Sequence, residues 1–231
     1  MEKMKKEILI NEDDFPLYSL MEELLKVSKE HFDQLEKIEL PEESIWMIYR
    51  WKTNINESIK KGKKYLVETE ILAISKLYCI RKFKIYFENK WIGDILSYWV
   101  LANKSTRRLM RFPKEYWTEE TGKLPEELKE QKSPPIKRKE KKDFCTEEKD
   151  LDENKHVNNL SYIRFLFRHI EQEKDADFQN LEIKYKKEIL HPTDLSLYCS
   201  RRENEISFEI TSNLGDLIHA EGSLYYEDAL T

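Results

Sequence analysis

The sequence predicts an α+β fold in which a long helix is enclosed by a curved antiparallel sheet, and predicts it twice along the chain. Three observations carry this. Apolar residues recur at helical spacing between 17 and 35, then at a period of two from 45 to 103. The same order, strand, helix and then four strands, returns between 143 and 227, which is an internal duplication. Between the copies, residues 119–143 hold fifteen charged residues among 25 and three prolines, the composition of a surface connection.

A short strand, EILI (7–10), opens the chain. The helix that follows has Asp14 as its N-cap and Pro16 in the first turn, where the missing N–H costs nothing. Leu17, Leu20, Met21, Leu24, Val27 and Leu35 give it one apolar face. Four stretches rich in β-branched and aromatic residues then read as strands: 45–55, 64–74, 77–87 and 91–103, the last two joined at 88–90 as a hairpin. In the second copy a strand over 143–151 leads into a helix over 158–172, with Leu160, Ile163, Phe167 and Ile170 on one face. Strands are expected at 178–190, 194–202, 205–213 and 217–227. One helix wrapped by a long antiparallel sheet is the hotdog arrangement. The expected domains are a hotdog over 1–118, a charged linker over 119–142 and a second hotdog over 143–231.

Composition narrows the function. With 39% hydrophobic and 12% aromatic residues the chain can build a core. A net charge of −5 argues against nucleic acid as partner, since polyphosphate needs a basic domain. Cys79, Cys145 and Cys199 are odd in number, widely spaced and without a Cys-x-x-Cys pair, so neither a disulfide scaffold nor a zinc site is expected. No pair among Gly62, Gly93, Gly122, Gly215 and Gly222 has the spacing of a P-loop, a dinucleotide fingerprint or a nucleophile elbow. No metal or other cofactor is expected. No apolar run approaches a membrane span, and the N-terminal apolar stretch is too short for a signal peptide, so the reading is a cytoplasmic protein.

The chemistry concentrates in DLDENKHVNNLSYIRFL (150–166). Taken singly, Asp150, Asp152, Asn158 and Asn159 would be caps or turn formers, and His156 a satisfied structural histidine. Their position before a helix changes that. Asp152, Asn154 and His156 alternate, so an extended stretch would point all three the same way. The helix N-terminus at Val157 and Asn158 offers unpaired N–H groups and a partial positive charge, which can polarise a thioester carbonyl and hold an oxyanion. The carboxylate, amide and imidazole would supply a base, an orienting donor and a proton carrier.

DLDENKHVNN resembles the Asp-x-Asn-x-His-Val-Asn-Asn signature of the acyl-acyl-carrier-protein (acyl-ACP) thioesterases. The resemblance extends over about residues 5–226. YWVLANKSTRRLMRFPKE (98–115) is similar to the segment closing that family's first hotdog, and YKKEIL (185–190) to its Tyr-Arg-Arg-Glu-Cys segment. The resemblance implies release of free fatty acid from acyl-ACP, in fatty acid biosynthesis, by a catalytic set of Asp152, Asn154, His156 and Glu188. Plant members have cysteine after the glutamate; here it is Ile189, which points to water as nucleophile. Either Glu188 and His156 activate that water while Asp152 orients the site, or Asp152 is the general base. The alternation Leu181, Ile183, Tyr185 leaves Glu188 on the opposite face unless a bulge intervenes.

The resemblance also implies an acyl tunnel lined by the first hotdog, with contributions from the Leu17–Leu35 helix, Trp46, Ile48 and Trp51. The acidic carrier protein would dock on a basic area, for which Arg107, Arg108, Arg111, Lys137 and Arg138 are candidates. Open sheet edges would allow a homodimer. The alternatives are an acyl-CoA thioesterase and a non-catalytic acyl-thioester-binding hotdog.

Overall fold

The computed structural model of the chain describes residues 3–11, 15–34, 39–129, 136–152, 156–170, 178–212 and 215–226. The first half runs β1 (Met4–Leu9), α1 (Pro16–Gln34), β2 (Ser44–Ile55), β3 (Lys64–Ile74), β4 (Cys79–Phe87) and β5 (Lys90–Asn103), with a two-residue strand β6 (Leu109–Met110) folding back on β5. The second half repeats it: β7 (Glu140–Cys145), α2 (Asn159–His169), β8 (Phe178–Tyr185), β9 (Asp194–Arg202), β10 (Glu205–Ser212) and β11 (Leu217–Tyr226). Asp14 and Leu35 lie outside the described residues.

The order across the sheet is β1-β3-β4-β5-β2-β8-β11-β10-β9-β7, all antiparallel. Each half has the same internal order, and the two meet back to back where β2 pairs β8. The architecture is a double hotdog. At the seam Arg50, Trp51 and Lys52 face Lys184, Ile183 and Glu182. The Arg50 guanidinium reaches Glu182 at 2.8 Å and lies 4.8 Å over the Tyr98 ring. Thr53 and Asn180 extend the junction by accepting the amides of Leu181 and Ile55 at 2.7 and 2.9 Å. Gly222 belongs here for a steric reason: a Cβ would sit 1.9 Å from the Glu182 carbonyl oxygen on the neighbouring strand.

Both helices bury their apolar faces in one core that runs through the two halves. Leu20, Met21, Leu24 and Val27 of α1 and Leu160, Ile163 and Leu166 of α2 are buried in it together with Trp51 and Ile183. Each such side chain contributes about 1.5–3 kcal/mol by leaving water. The helices also touch. Phe15 stacks on Phe167 at 5.6 Å, and Arg164 lies 4.4 Å over the Tyr18 ring.

Two expected strands are shorter than the pattern suggests. The strand expected over 143–151 is β7 followed by a 3-10 turn at Glu148–Asp150, closed by a reciprocal capping box between Glu147 and Asp150. The strand expected over 178–190 stops at Tyr185. There the amides of both Lys186 and Lys187 turn to the His219 carbonyl, and the chain leaves the ladder.

Candidate active site

The segment between β7 and α2 folds back on itself before the helix begins. Leu151 bridges Val157, the Asp152 amide donates to the His156 carbonyl at 2.7 Å, and the His156 amide donates to Asp152 Oδ1 at 3.0 Å. The Asp152 carboxylate therefore helps to fix the backbone of His156. Asn158 caps α2, its Oδ1 accepting the Leu160 amide at 2.9 Å. Asn154 lies outside the described residues.

Glu188 comes to this site from the other side. Leaving the strand at Tyr185 frees the chain from the alternation that would have turned Glu188 outward. The Ile189 carbonyl then accepts the Val157 amide at 2.9 Å and pins the segment to the helix start. Glu188 Oε1 lies 3.4 Å from His156 Nδ1, with the carboxylate 29% exposed and the imidazole 15%. Ile189, in the position of the plant cysteine, is buried in the core.

Arg107 joins them. It has φ +58°, a left-handed conformation that a turn built by Asn103 imposes. Asn103 Oδ1 accepts from the amides of Ser105 and Thr106, and its carbonyl accepts the Arg107 amide. The turn delivers the guanidinium to the site: Nη2 lies 2.8 Å from His156 Nε2 and 3.3 Å from Nδ1, and Nε lies 3.8 Å from Glu188 Oε2. Both ring nitrogens are therefore within reach of one guanidinium nitrogen, and the cation lies against the imidazole. On its other side the Nδ1 edge of His156 faces the Glu188 carboxylate.

The helix end differs from expectation. The amides of Val157 and Asn158 were the expected oxyanion donors, but both are spent within the fold, on the carbonyls of Ile189 and Asp150 at 2.9 Å each. They fix the loop rather than face a substrate. The amide of Asn159 donates to no described residue, and its side-chain Nδ2 reaches the Ile48 carbonyl of β2 at 3.4 Å. Two tyrosines that sequence reasoning missed support the same corner. Tyr185 donates to the Asn159 carbonyl at 2.8 Å, and Tyr162 meets Tyr185 edge to face at 5.4 Å. Burial, and after it the negative charge of Glu188, raises the pKa of Tyr162, which keeps its phenol protonated.

The remaining basic candidates are dispersed. Arg108 and Arg111 are exposed beside Arg107. Arg138 is spent on Glu209 at 2.7 Å and the Gly215 carbonyl at 2.9 Å, and stacks 4.7 Å over the Tyr198 ring. It lies over β9 and β10. Since β10 is four strands from β5, that is roughly 19 Å across the sheet. Lys137 is exposed next to it. Among the described residues no cluster of acidic, histidine or cysteine side chains could hold a metal ion. No helix among them is long and apolar enough to cross a membrane.

Comparison with known proteins identifies the family. Residues 5–119 match the acyl-ACP thioesterase N-terminal domain and residues 133–226 the C-terminal domain of the same family. The chain is similar in structure to an acyl-ACP thioesterase from Bacteroides thetaiotaomicron (TM-score 0.80, 20% identity, 97% of this chain and 98% of that one). It is also similar to a protein from Lactobacillus plantarum assigned as an oleoyl thioesterase (TM-score 0.81, 17% identity, 100% and 98%). A third is the 12:0-ACP thioesterase of Umbellularia californica (TM-score 0.78, 16% identity, 97% of each). A sequence search of curated proteins finds no match. With both family domains matched in order over nearly its whole length, the chain belongs to the acyl-ACP thioesterase family, whose members are thioester hydrolases.

Proposed function

We propose that the chain hydrolyses acyl thioesters of acyl carrier protein in the cytoplasm, releasing a free fatty acid and the carrier thiol, with water as the nucleophile. The observation that carries this is His156 held between the Glu188 carboxylate and the Arg107 guanidinium just before α2. In the reaction Arg107 yields the Nε2 position to a water molecule. His156 takes one proton as the water oxygen attacks the carbonyl carbon, and Glu188 stabilises the imidazolium that forms. The Asn159 amide, at the positive end of α2, is placed to stabilise the oxyanion, with Asn154 as a second donor. Collapse breaks the C–S bond, and His156 returns its proton to the leaving thiolate. Asp152 serves as the orienting group, because its Oδ1 is engaged by the His156 amide.

The test is fatty acid release from saturated acyl chains of graded length, each offered on carrier protein and on coenzyme A. Turnover on carrier protein exceeding that on coenzyme A supports the proposal. The reverse order makes it an acyl-CoA thioesterase, and binding without turnover makes it an acyl-binding protein. Asp152→Ala, Asn154→Ala, His156→Ala and Glu188→Ala should each cut hydrolysis at least ~100-fold, the scale of a lost acid–base or oxyanion group. If all four stay within a few-fold of wild type, the site is elsewhere.

A further inference from the structure

A cavity of about 370 Å³ lies between the last turns of α1 and the inner face of β2–β5. Its walls are largely apolar, with Phe32 on the helix and Trp46, Ile71 and Trp99 on the sheet, while Lys29 and Asp33 of the helix also line it. It starts close to the site just described. Trp46 is two residues from Ile48, whose carbonyl meets the Asn159 side chain, a step of about 7 Å along the strand. From Ile48 the sheet passes to its register partner Trp99 and then to Cys79. Arg81 follows two residues further along β4, so it is about 12 Å from Ile48 by strand spacing.

Arg81 is out of place in such a wall. It is only 4% exposed, and it lines the cavity. Its Nη1 makes two contacts, 2.6 Å to His31 Nδ1 and 3.1 Å to Thr69 Oγ1. No carboxylate among the described residues pairs with it. The Nε–H and Nη2–H edge, the fork that takes an oxygen acceptor side-on, is engaged by no described residue. Burial lowers its pKa to about 10, so the group is still a cation at neutral pH. An unsubstituted hydrocarbon filling this cavity would seal a charge away from water without offering an acceptor to its free edge.

We propose that this cavity receives the substrate's acyl chain and that Arg81 selects chains carrying an oxygen near their distal end, as a hydroxyl, keto or carboxylate group. The proposal rests on the thioesterase reading above and names its substrate class. The oxygen accepts from the free guanidinium edge, while the methylenes before it pack on Trp46, Trp99 and Phe32.

The experiment compares three thioesters on the same carrier protein: a medium-length saturated chain, its ω-hydroxy derivative and the ω-carboxy half-thioester. Wild-type kcat/KM is expected to be at least ~10-fold higher for one of the oxygenated chains than for the plain one. Which one it is separates a neutral from a charged terminus. Arg81→Met should erase the preference and raise activity on the plain chain. It gives up the contacts to His31 and Thr69, so its folding is checked by melting before the rates are compared. Arg81→Lys, which keeps the charge without the fork, should reduce the preference and serves if the methionine variant does not fold. A plain chain hydrolysed as well as both oxygenated ones, or a preference that survives in the Arg81 variants, overturns the proposal. Should no thioester be hydrolysed, the thioesterase reading fails by itself, and calorimetry with N-methyl amides of the same acids decides about Arg81. Tighter binding of an oxygenated amide to wild type than to the variant upholds the selectivity; equal binding overturns it.

Discussion

Arg107 couples a backbone feature to a chemical one. Its left-handed φ is tolerated because Asn103 gathers three donors from Ser105 and Thr106 on one carbonyl oxygen. The turn brings a cation to within 2.8 Å of His156, where it holds the ring in place opposite Glu188. Arg108 and Arg111 are exposed nearby and free to meet an acidic carrier. The neighbours should therefore separate kinetically. Arg107→Ala is expected to reduce kcat at least ~10-fold on acyl-carrier-protein and on a small uncharged thioester alike. Arg108→Glu with Arg111→Glu should raise KM for the protein substrate only. That KM should also climb with salt, as screening shortens the field to ~8 Å at physiological ionic strength. Equal effects of the two changes on both substrates would remove the distinction. The thiols stand apart from the chemistry. Burial pushes Cys79 up to about 12 and Cys199 up to about 11, and Cys145 is also raised by partial desolvation and by Asp194. A Cys79→Ala, Cys145→Ser, Cys199→Ala variant should keep most of its activity, and its loss in a folded protein would point back to a thiol nucleophile.

The segment 186–190 is the element on which the site depends, and His219 holds it. The His219 carbonyl takes the amides of Lys186 and Lys187, and its Nδ1 meets the Lys187 carbonyl at 3.0 Å. A carbonyl only accepts, so Nδ1 carries the proton and Nε2 accepts from the Ser212 hydroxyl at 2.8 Å. Burial lowers the His219 pKa below its ordinary value near 6.5. The unfolded chain therefore takes up this proton more readily. The contribution to stability is complete above ~6.5 and is lost as pH falls through the depressed folded value. His219→Leu should destabilise by about 1–3 kcal/mol, the cost of orphaning a buried acceptor. It should also slow hydrolysis by at least ~10-fold as Glu188 loses its placement. Wild-type kcat with reduced melting temperature would mean His219 supports the fold alone. Glu188 also shows where sequence pattern stops. Period-two alternation located the strand but put Glu188 outside, because what ends the strand is a carbonyl from β11, 32 residues away. The two helices and most strands were legible because each depends on local periodicity. Arg107 reads from the sequence as part of a basic docking area, whereas the turn that Asn103 builds directs it to His156 and Glu188.

At the scale of the molecule, the duplicated halves join through β2 and β8 into a single sheet, a pairing for which neither strand carries a local signal. Its outer edges, β1 and β7, each carry adjacent lysines, Lys5–Lys6 and Lys141–Lys142, which discourage further pairing. The join places the cavity proposed for the acyl chain in one half and His156 and Glu188 in the other, so the proposed site exists only when both halves are folded together. The core is continuous across the seam, with Trp51 and Ile183 directly opposite each other and both fully buried. One cooperative unfolding transition is therefore expected by calorimetry. Ile183→Ala leaves a void beneath the seam and should cost about 2–5 kcal/mol. For a chain of this size that is a fall of roughly 5–15 °C in the whole transition. Because the seam belongs to both halves, a probe in the first half, such as Trp99 fluorescence, should melt together with the calorimetric peak. Two resolved transitions, with only the second half's moving on Ile183→Ala, would show that the halves are independent units and that β2–β8 pairing contributes little to holding the site.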